Sequence, residues 1–169
     1  MERFTKGAFN PFMKITKFHP FDTKEIVTLF YETVHHVNEK DYTSEELHAW
    51  APWEEQAEKI QSWQDSLSQN ITYVAKINNN IVGFADLTHA GYLDRLYVHK
   101  DYQGHGIASA LVQTLEMEAK QKRITEIHTE ASITAKPFFE RKGFTVIQKQ
   151  KVIRKGIKLT NYIMTKKLS

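Results

Sequence analysis

Between residues 71 and 98 the chain passes through three β-rich segments, ITYVAKI, IVGFADL and YLDRLYV, the first two separated only by NNN. Asparagine tolerates the left-handed backbone of a tight hairpin turn, so these two segments fold back on each other as an antiparallel pair. The third ends at Val98. From Ile107 the apolar spacing becomes that of a helix, with Ile107, Leu111, Val112, Leu115 and Ala119 forming a buried stripe up to about Gln121. A hairpin, a third strand, a loop with two glycines and a half-buried helix, in that order, predict an α/β layered domain.

The flanking segments extend this pattern. FMKITKF, residues 12–18, is a strand candidate. Asp22 and Glu25 have capping-box spacing ahead of Ile26, Leu29, Phe30 and Val34, which predicts a helix from about 23 to 38. Thr43 and Glu46 repeat the device, and Pro52 suits the first turn of a further helix through WEEQAEKIQSWQDSL. After the central helix come a strand at EIHTEA, a short helix at TAKPFFERK stopped by Gly143, and a last antiparallel pair turning near Gly156. The expected fold class is α/β, with a mixed, mostly antiparallel central sheet flanked by helices. Residues 1–12 are expected to form an N-terminal extension and 13–169 a single domain, and 169 residues suffice for a sizeable core.

Composition removes several classes of function. With no cysteine there is no disulfide scaffold, thiolate metal site or cysteine nucleophile. No apolar run approaches the roughly 18 residues of a membrane span, and the N-terminus lacks the apolar core of a secretory signal, so the expected location is cytoplasmic. A net charge of +3 is far from the basic stripe of a nucleic-acid binder. The expectation is no nucleic-acid partner and no membrane partner.

The loop DYQGHGIA carries the most chemical information. Gly104 and Gly106 let a ligand approach the backbone, and the amides of residues 104–109 include unpaired donors of the following helix, which favour an anion such as a diphosphate. A nucleotide P-loop is excluded, because Ile107 and Ala108 stand where it needs Lys and then Ser or Thr. A dinucleotide fingerprint aligns at Gly104, Gly106 and Ser109 with the third position wrong. A tight strand-to-helix turn without a ligand is the remaining alternative.

Gln103-Gly104-His105-Gly106-Ile107-Ala108 resembles the Gln/Arg-x-x-Gly-x-Gly/Ala signature of the GNAT acetyltransferases, with Gln103, Gly106 and Ala108 at the matching positions. The resemblance takes in LYV before the loop and ASITAKPFFERKGF after it, and runs from about residue 13 to the end. It implies the acyl-CoA N-acyltransferase fold, acetyl-CoA as donor and no metal. It also implies that the backbone of Leu96, Tyr97 and Val98 meets the pantetheine arm. Gln103, Gly104, His105, Gly106, Ile107, Ala108 and Ser109 then hold the pyrophosphate. Ser132 stands where relatives often carry an asparagine, and Phe139 where many carry a tyrosine acid; both are expected beside the cofactor.

Acetyl transfer to an amine needs a proton acceptor, since an amine of pKa about 10 is neutral in only about one molecule in a thousand at pH 7. Candidates are Asp94, Glu130 and His128, with Tyr92 and Asp94 on the same side of their strand by alternation. Tyr162, Tyr97 or Ser132 is the candidate acid. His35, Tyr42, Trp50 and Trp53 are candidates for an aromatic acceptor pocket, with the alternative that they staple helices onto the sheet. Adjacent His35 and His36 point to different helix faces and suggest no zinc site. The lysines of the last hairpin read as a solvated face, and the last strand is a candidate for pairing in a homodimer. The expected function is N-acetyl transfer to a primary amine of a small molecule or peptide, with a non-catalytic acyl-CoA sensor as the alternative.

Overall fold

The computed structural model describes residues 12–169, so the expected extension over 1–12 lies outside the described residues except for Phe12. The elements in chain order are β1 (Met13–Lys17), α1 (Thr23–Val37), α2 (Ser44–Trp50), α3 (Gln56–Gln69), β2 (Ile71–Ile77), β3 (Asn80–Leu87) and β4 (Tyr92–Val98). Then follow α4 (Ile107–Gln121), β5 (Glu126–Ser132), α5 (Lys136–Arg141), β6 (Thr145–Arg154) and β7 (Ile157–Lys167). One seven-stranded sheet runs in the order β1-β2-β3-β4-β5-β7-β6. Every neighbouring pair is antiparallel except β4 and β5, which α4 connects as a parallel crossover.

Local chemistry sets most element ends. Asn78 and Asn79 take φ of 51° and 65° in the β2–β3 turn, and Lys155 and Gly156 take 49° and 76° in the β6–β7 turn, as two-residue hairpins require. The Thr43–Glu46 capping box forms as expected. The box expected from Asp22 and Glu25 does not. Pro20 starts a short 3-10 turn one step earlier, where the Asp22 carboxylate accepts from His19 N and the His19 ring accepts from Phe21 N. Glu25 instead accepts from Ile81 N, 56 positions away, at 2.9 Å and ties α1 to the sheet.

Each face of the sheet carries its own apolar layer. The stripe of α4 (Ile107, Leu111, Val112, Leu115) packs with Phe139 and Phe144 on one face. On the other, α1 and α3 bring Ile26, Phe30, Val34 and Leu67 against Val74, Phe84 and Leu159. Burying each such side chain contributes about 1.5–3 kcal/mol. Gly83 admits α4 closely, since a Cβ there would lie 2.8 Å from Ile107 Cγ2. The last strand, β7, sits between β5 and β6, pairing with β6 from Ile157 to Thr165 and with β5 from Asn161 to Lys167, and the sheet edges are β1 and β6.

Candidate active site

β4 and β5 pair for only two residues each, Tyr92 with His128 and Leu93 with Thr129. Beyond them the strands diverge. Arg95–Val98 keep β3 on one side and Glu130–Ser132 keep β7 on the other, so the facing edges form a fork lined by backbone donors and acceptors. At its apex the β3–β4 register shifts: Leu87 stands opposite Leu93 and Asp86 opposite Arg95, making Asp94 the extra residue of a β-bulge. Leu93 consequently packs in the α4-side core while Arg95 lies on the opposite face, its guanidinium 4.7 Å from the Trp63 ring. The inserted residue changes the phase of the strand. Arg95 on that face has the Asp94 carboxylate 3.4 Å away, and the charges of Glu130 and Asp94 both act on the Tyr92 phenol.

The β4 arm leads into the glycine loop. Gln103 Nε2 donates to the Val98 carbonyl at 2.6 Å and Thr33 Oγ1 to the same oxygen at 3.1 Å, which commits both its lone pairs. Gly104 and Gly106 take φ of 77° and 78°, where a side chain is strained. Gly106 is the N-cap of α4; no side chain caps the helix, and the Gly106 carbonyl accepts the first helical bond from Ala110. The amides of Ile107, Ala108 and Ser109 thus form the positive end of a 15-residue helix. Ile107 buries its side chain against Gly83 and offers only its amide. The His105 ring stands edge-on to Tyr102 at 5.9 Å.

Polar side chains gather at the apex on the α1/α3 face. The Tyr92 hydroxyl is 3.5 Å from Glu130 Oε2, the long limit of a hydrogen bond. Gln150 Nε2 donates to Glu130 Oε1 at 3.1 Å and to Asn161 Oδ1 at 2.9 Å. The Tyr92 ring lies 5.1 Å from that of His128. Burial, and secondarily the Glu130 charge, push the Tyr92 phenol up, so it stays protonated at neutral pH. Asp94 Oδ2 has Arg95 Nη2 at 3.4 Å. A carboxylate, a protonated phenol and an open backbone edge thus stand at one end of a path whose other end is the α4 N-terminus.

Residues 38–166 match the acetyltransferase (GNAT) domain model. The chain belongs to the GNAT acetyltransferase family. It is 34% identical over 153 residues to the uncharacterized N-acetyltransferase YafP of Escherichia coli K12, covering 90% of this chain and 94% of that one. A GCN5-related N-acetyltransferase from Rhodopseudomonas palustris, also named as a class-II aminotransferase, is similar with a TM-score of 0.86 and 30% identity, covering 92% of this chain and 95% of that one. An acetyltransferase of Salmonella typhimurium, yncA, has the same fold with its cofactor acetyl-CoA, at a TM-score of 0.70 and 18% identity over 94% and 95% of the two chains.

Within this GNAT chain the expected site residues separate into two groups. Glu130, Asp94 and the 103–109 loop lie along the fork. Ser132 Oγ accepts from Ala135 N at 3.0 Å and caps the turn into α5. Phe139 is 3% exposed, its ring packed edge-on to Phe138 and Phe144 in the α4-side core. Tyr162 stands opposite Ala131, in the α4-side layer beneath Lys136, whereas Glu130 faces the other way. The sheet separates Tyr162 from Glu130.

The acceptor candidates are mostly fastened into the fold. The Tyr42 hydroxyl donates to Thr160 O at 2.7 Å and accepts from Ile133 N at 2.9 Å, and the residue is buried. His35 Nε2 lies 2.7 Å from Ala51 O, and its ring stacks on Trp53 at 4.4 Å. Both residues staple helices, because their polar atoms are spent on backbone partners. Trp50 is half-buried, its ring 6.4 Å from that of Tyr97, and burial pushes the Tyr97 phenol up. The sequence reading missed the Asp86–Arg95 pair, although an aspartate inside IVGFADL and an arginine inside YLDRLYV were its signal. It also missed Gln150 and Asn161, which nothing local marks. Among the described residues no group of three or more His, Asp or Glu is placed to hold a metal, and no helix is long and apolar enough to cross a membrane.

Proposed function

We propose that the protein transfers the acetyl group of acetyl-CoA to a primary amine of a small molecule or peptide. The observation that carries this reading is the β4–β5 fork running directly into the uncapped first turn of α4. A pantetheine arm lies along β4 as an added strand, its amides meeting the backbone of Leu96, Tyr97 and the open edge before Val98. The pyrophosphate rests on Gln103, the two glycines and the amides up to Ser109. The thioester then reaches the apex, beside the Asp94 bulge and Glu130.

The amine nitrogen attacks the thioester carbonyl carbon. A C–N bond forms, the C–S bond breaks, and sulfur leaves with the electron pair. Glu130, directly or through a water, takes the proton that the ammonium must lose. A thiol of pKa about 8.5 leaves tolerably without an acid, so Phe139 at the usual acid position does not bar the reaction. Tyr92 is the protonated group nearest Glu130 at the apex. The test is thermal unfolding with acetyl-CoA, NAD or ATP, followed by thiol release with a panel of amines. A shift with acetyl-CoA alone and amine-dependent thiol release are expected; a shift with NAD alone, or none, overturns the reading.

A further inference from the structure

Glu130 is held from a strand that does not neighbour its own. In the sheet order β5-β7-β6, β7 lies between the strands of Glu130 and Gln150; Gln150 stands opposite Asn161, which stands opposite Ser132. The Gln150 side chain reaches across the intervening strand, and its Nε2 donates to Glu130 Oε1 at 3.1 Å and to Asn161 Oδ1 at 2.9 Å. Both protons of one carboxamide nitrogen are thus committed, one to the carboxylate and one to an anchor on the strand between. At the other carboxylate oxygen, Oε2, the Tyr92 hydroxyl stands at 3.5 Å, so Gln150 supplies the shorter contact.

An irregularity in strand pairing brings the carboxamide there. Val146 stands opposite Met164 and Gln148 opposite Ile163, so Ile147 is an extra residue in β6. Regular pairing from Val146 onward would set Lys149, not Gln150, opposite Asn161. An ammonium in place of the carboxamide favours the ionised form of a neighbouring carboxylate and makes it a weaker proton acceptor. The bulge substitutes a neutral donor, which fixes direction without adding a counter-charge. The cations near the apex are engaged elsewhere, Arg95 with Asp86 at 2.7 Å and Arg154 Nη1 with the Ile153 carbonyl at 3.1 Å.

Glu130 is exposed, and an exposed glutamate samples several rotamers. A base that must meet an ammonium at one place gains rate from having that freedom removed beforehand. Resting on the reading of Glu130 as the base, we propose that Gln150, anchored by Asn161, is a positioning residue for acetyl transfer. It keeps the Glu130 carboxylate in the conformation that takes the proton of the amine.

The experiment measures thiol release from acetyl-CoA with tyramine, spermidine, lysine and a tripeptide as acceptor amines, using wild type, Q150L, E130Q and the double variant. Q150L keeps the side-chain bulk and removes the donor; kcat is expected to fall about 10- to 100-fold with KM for acetyl-CoA unchanged. In the E130Q background the same change is expected to cost less than about twofold, since a residue acting through Glu130 has nothing left to position. N161A leaves Gln150 in place without its anchor, and the same pattern is expected at smaller size. Melting temperature checks that each variant is folded. An unchanged kcat in Q150L, or an equal loss in both backgrounds, overturns this inference and leaves Glu130 as the base. Unchanged kcat in E130Q, or no turnover of any of these amines, removes the base reading and this inference with it.

Discussion

Arg95 grips Asp86 at two points across β3 and β4, Nη2 to Oδ2 at 2.7 Å and Nε to Oδ1 at 3.1 Å, with the two side chains 9% and 0% exposed. Asn70 Nδ2 donates to Asp86 Oδ2 at 2.9 Å and Ser66 Oγ accepts from Arg95, so the pair is hydrogen-bonded on both sides. Burial still pushes the Asp86 carboxyl up, with Arg95 pulling the other way. Removing one partner strands the other. D86A is expected to lose about 3–5 kcal/mol in urea unfolding, while an apolar replacement of both residues recovers most of that.

G83A tests how closely α4 must sit. Its Cβ would lie 2.8 Å from Ile107 Cγ2 and 3.2 Å from Leu111 Cδ1. The expected cost is about 1–3 kcal/mol from overpacking. Because Ile107 opens α4, the amides proposed to hold the pyrophosphate are expected to shift as well, and acetyl-CoA affinity, measured by calorimetry, to fall with stability.

G106D places a carboxylate at the helix N-cap, where the proposal sets the phosphates. Wild type at about 100 times Kd gains about 2.7 kcal/mol from the ligand. The variant is expected to unfold cooperatively with no gain on adding acetyl-CoA. Retained tight binding there removes the loop from the cofactor site.

E130Q retains the shape of the Gln150 contact and loses the base. Turnover is expected to fall about 10²–10⁴-fold with acetyl-CoA affinity kept. Unchanged kcat in this variant transfers the role of base to Asp94 or His128.

The Tyr31 hydroxyl donates to Pro52 O at 2.8 Å in a buried site, and its phenol is pushed up to about 12, chiefly by burial. Tyr73, bonded to the Glu118 carboxylate, is also pushed up to about 12, again first by burial. A folded pKa above the unfolded value near 10 means that stability is fully present below pH 10 and lost as pH rises toward 12. Y31F is expected to be about 1 kcal/mol less stable at pH 7 and to lose less than wild type between pH 10 and 12 in urea titrations.

Much of this was legible in the sequence because it is local. The NNN turn, the Thr43–Glu46 box, the α4 stripe and the glycine loop each depend on residues within a few positions of one another. The same locality explains the errors. Asp22 and Glu25 have capping spacing, but Pro20 started the turn earlier and Ile81 claimed Glu25 from 56 residues away. Tyr42 looked like a pocket aromatic, and its hydroxyl is held between Thr160 O and Ile133 N.

The sequence by itself determined the order of strands and helices, the glycine loop before α4 and the carboxylates near it, since periodicity, turn residues and side-chain type are written in short windows. Tertiary structure decided where β4 and β5 part, that Asp94 bulges, that Glu130 and Tyr162 lie on opposite faces, and that Lys155 pairs with Glu55 across 100 positions. Those outcomes depend on register and on pairing between distant partners. No short window of the chain contains both partners.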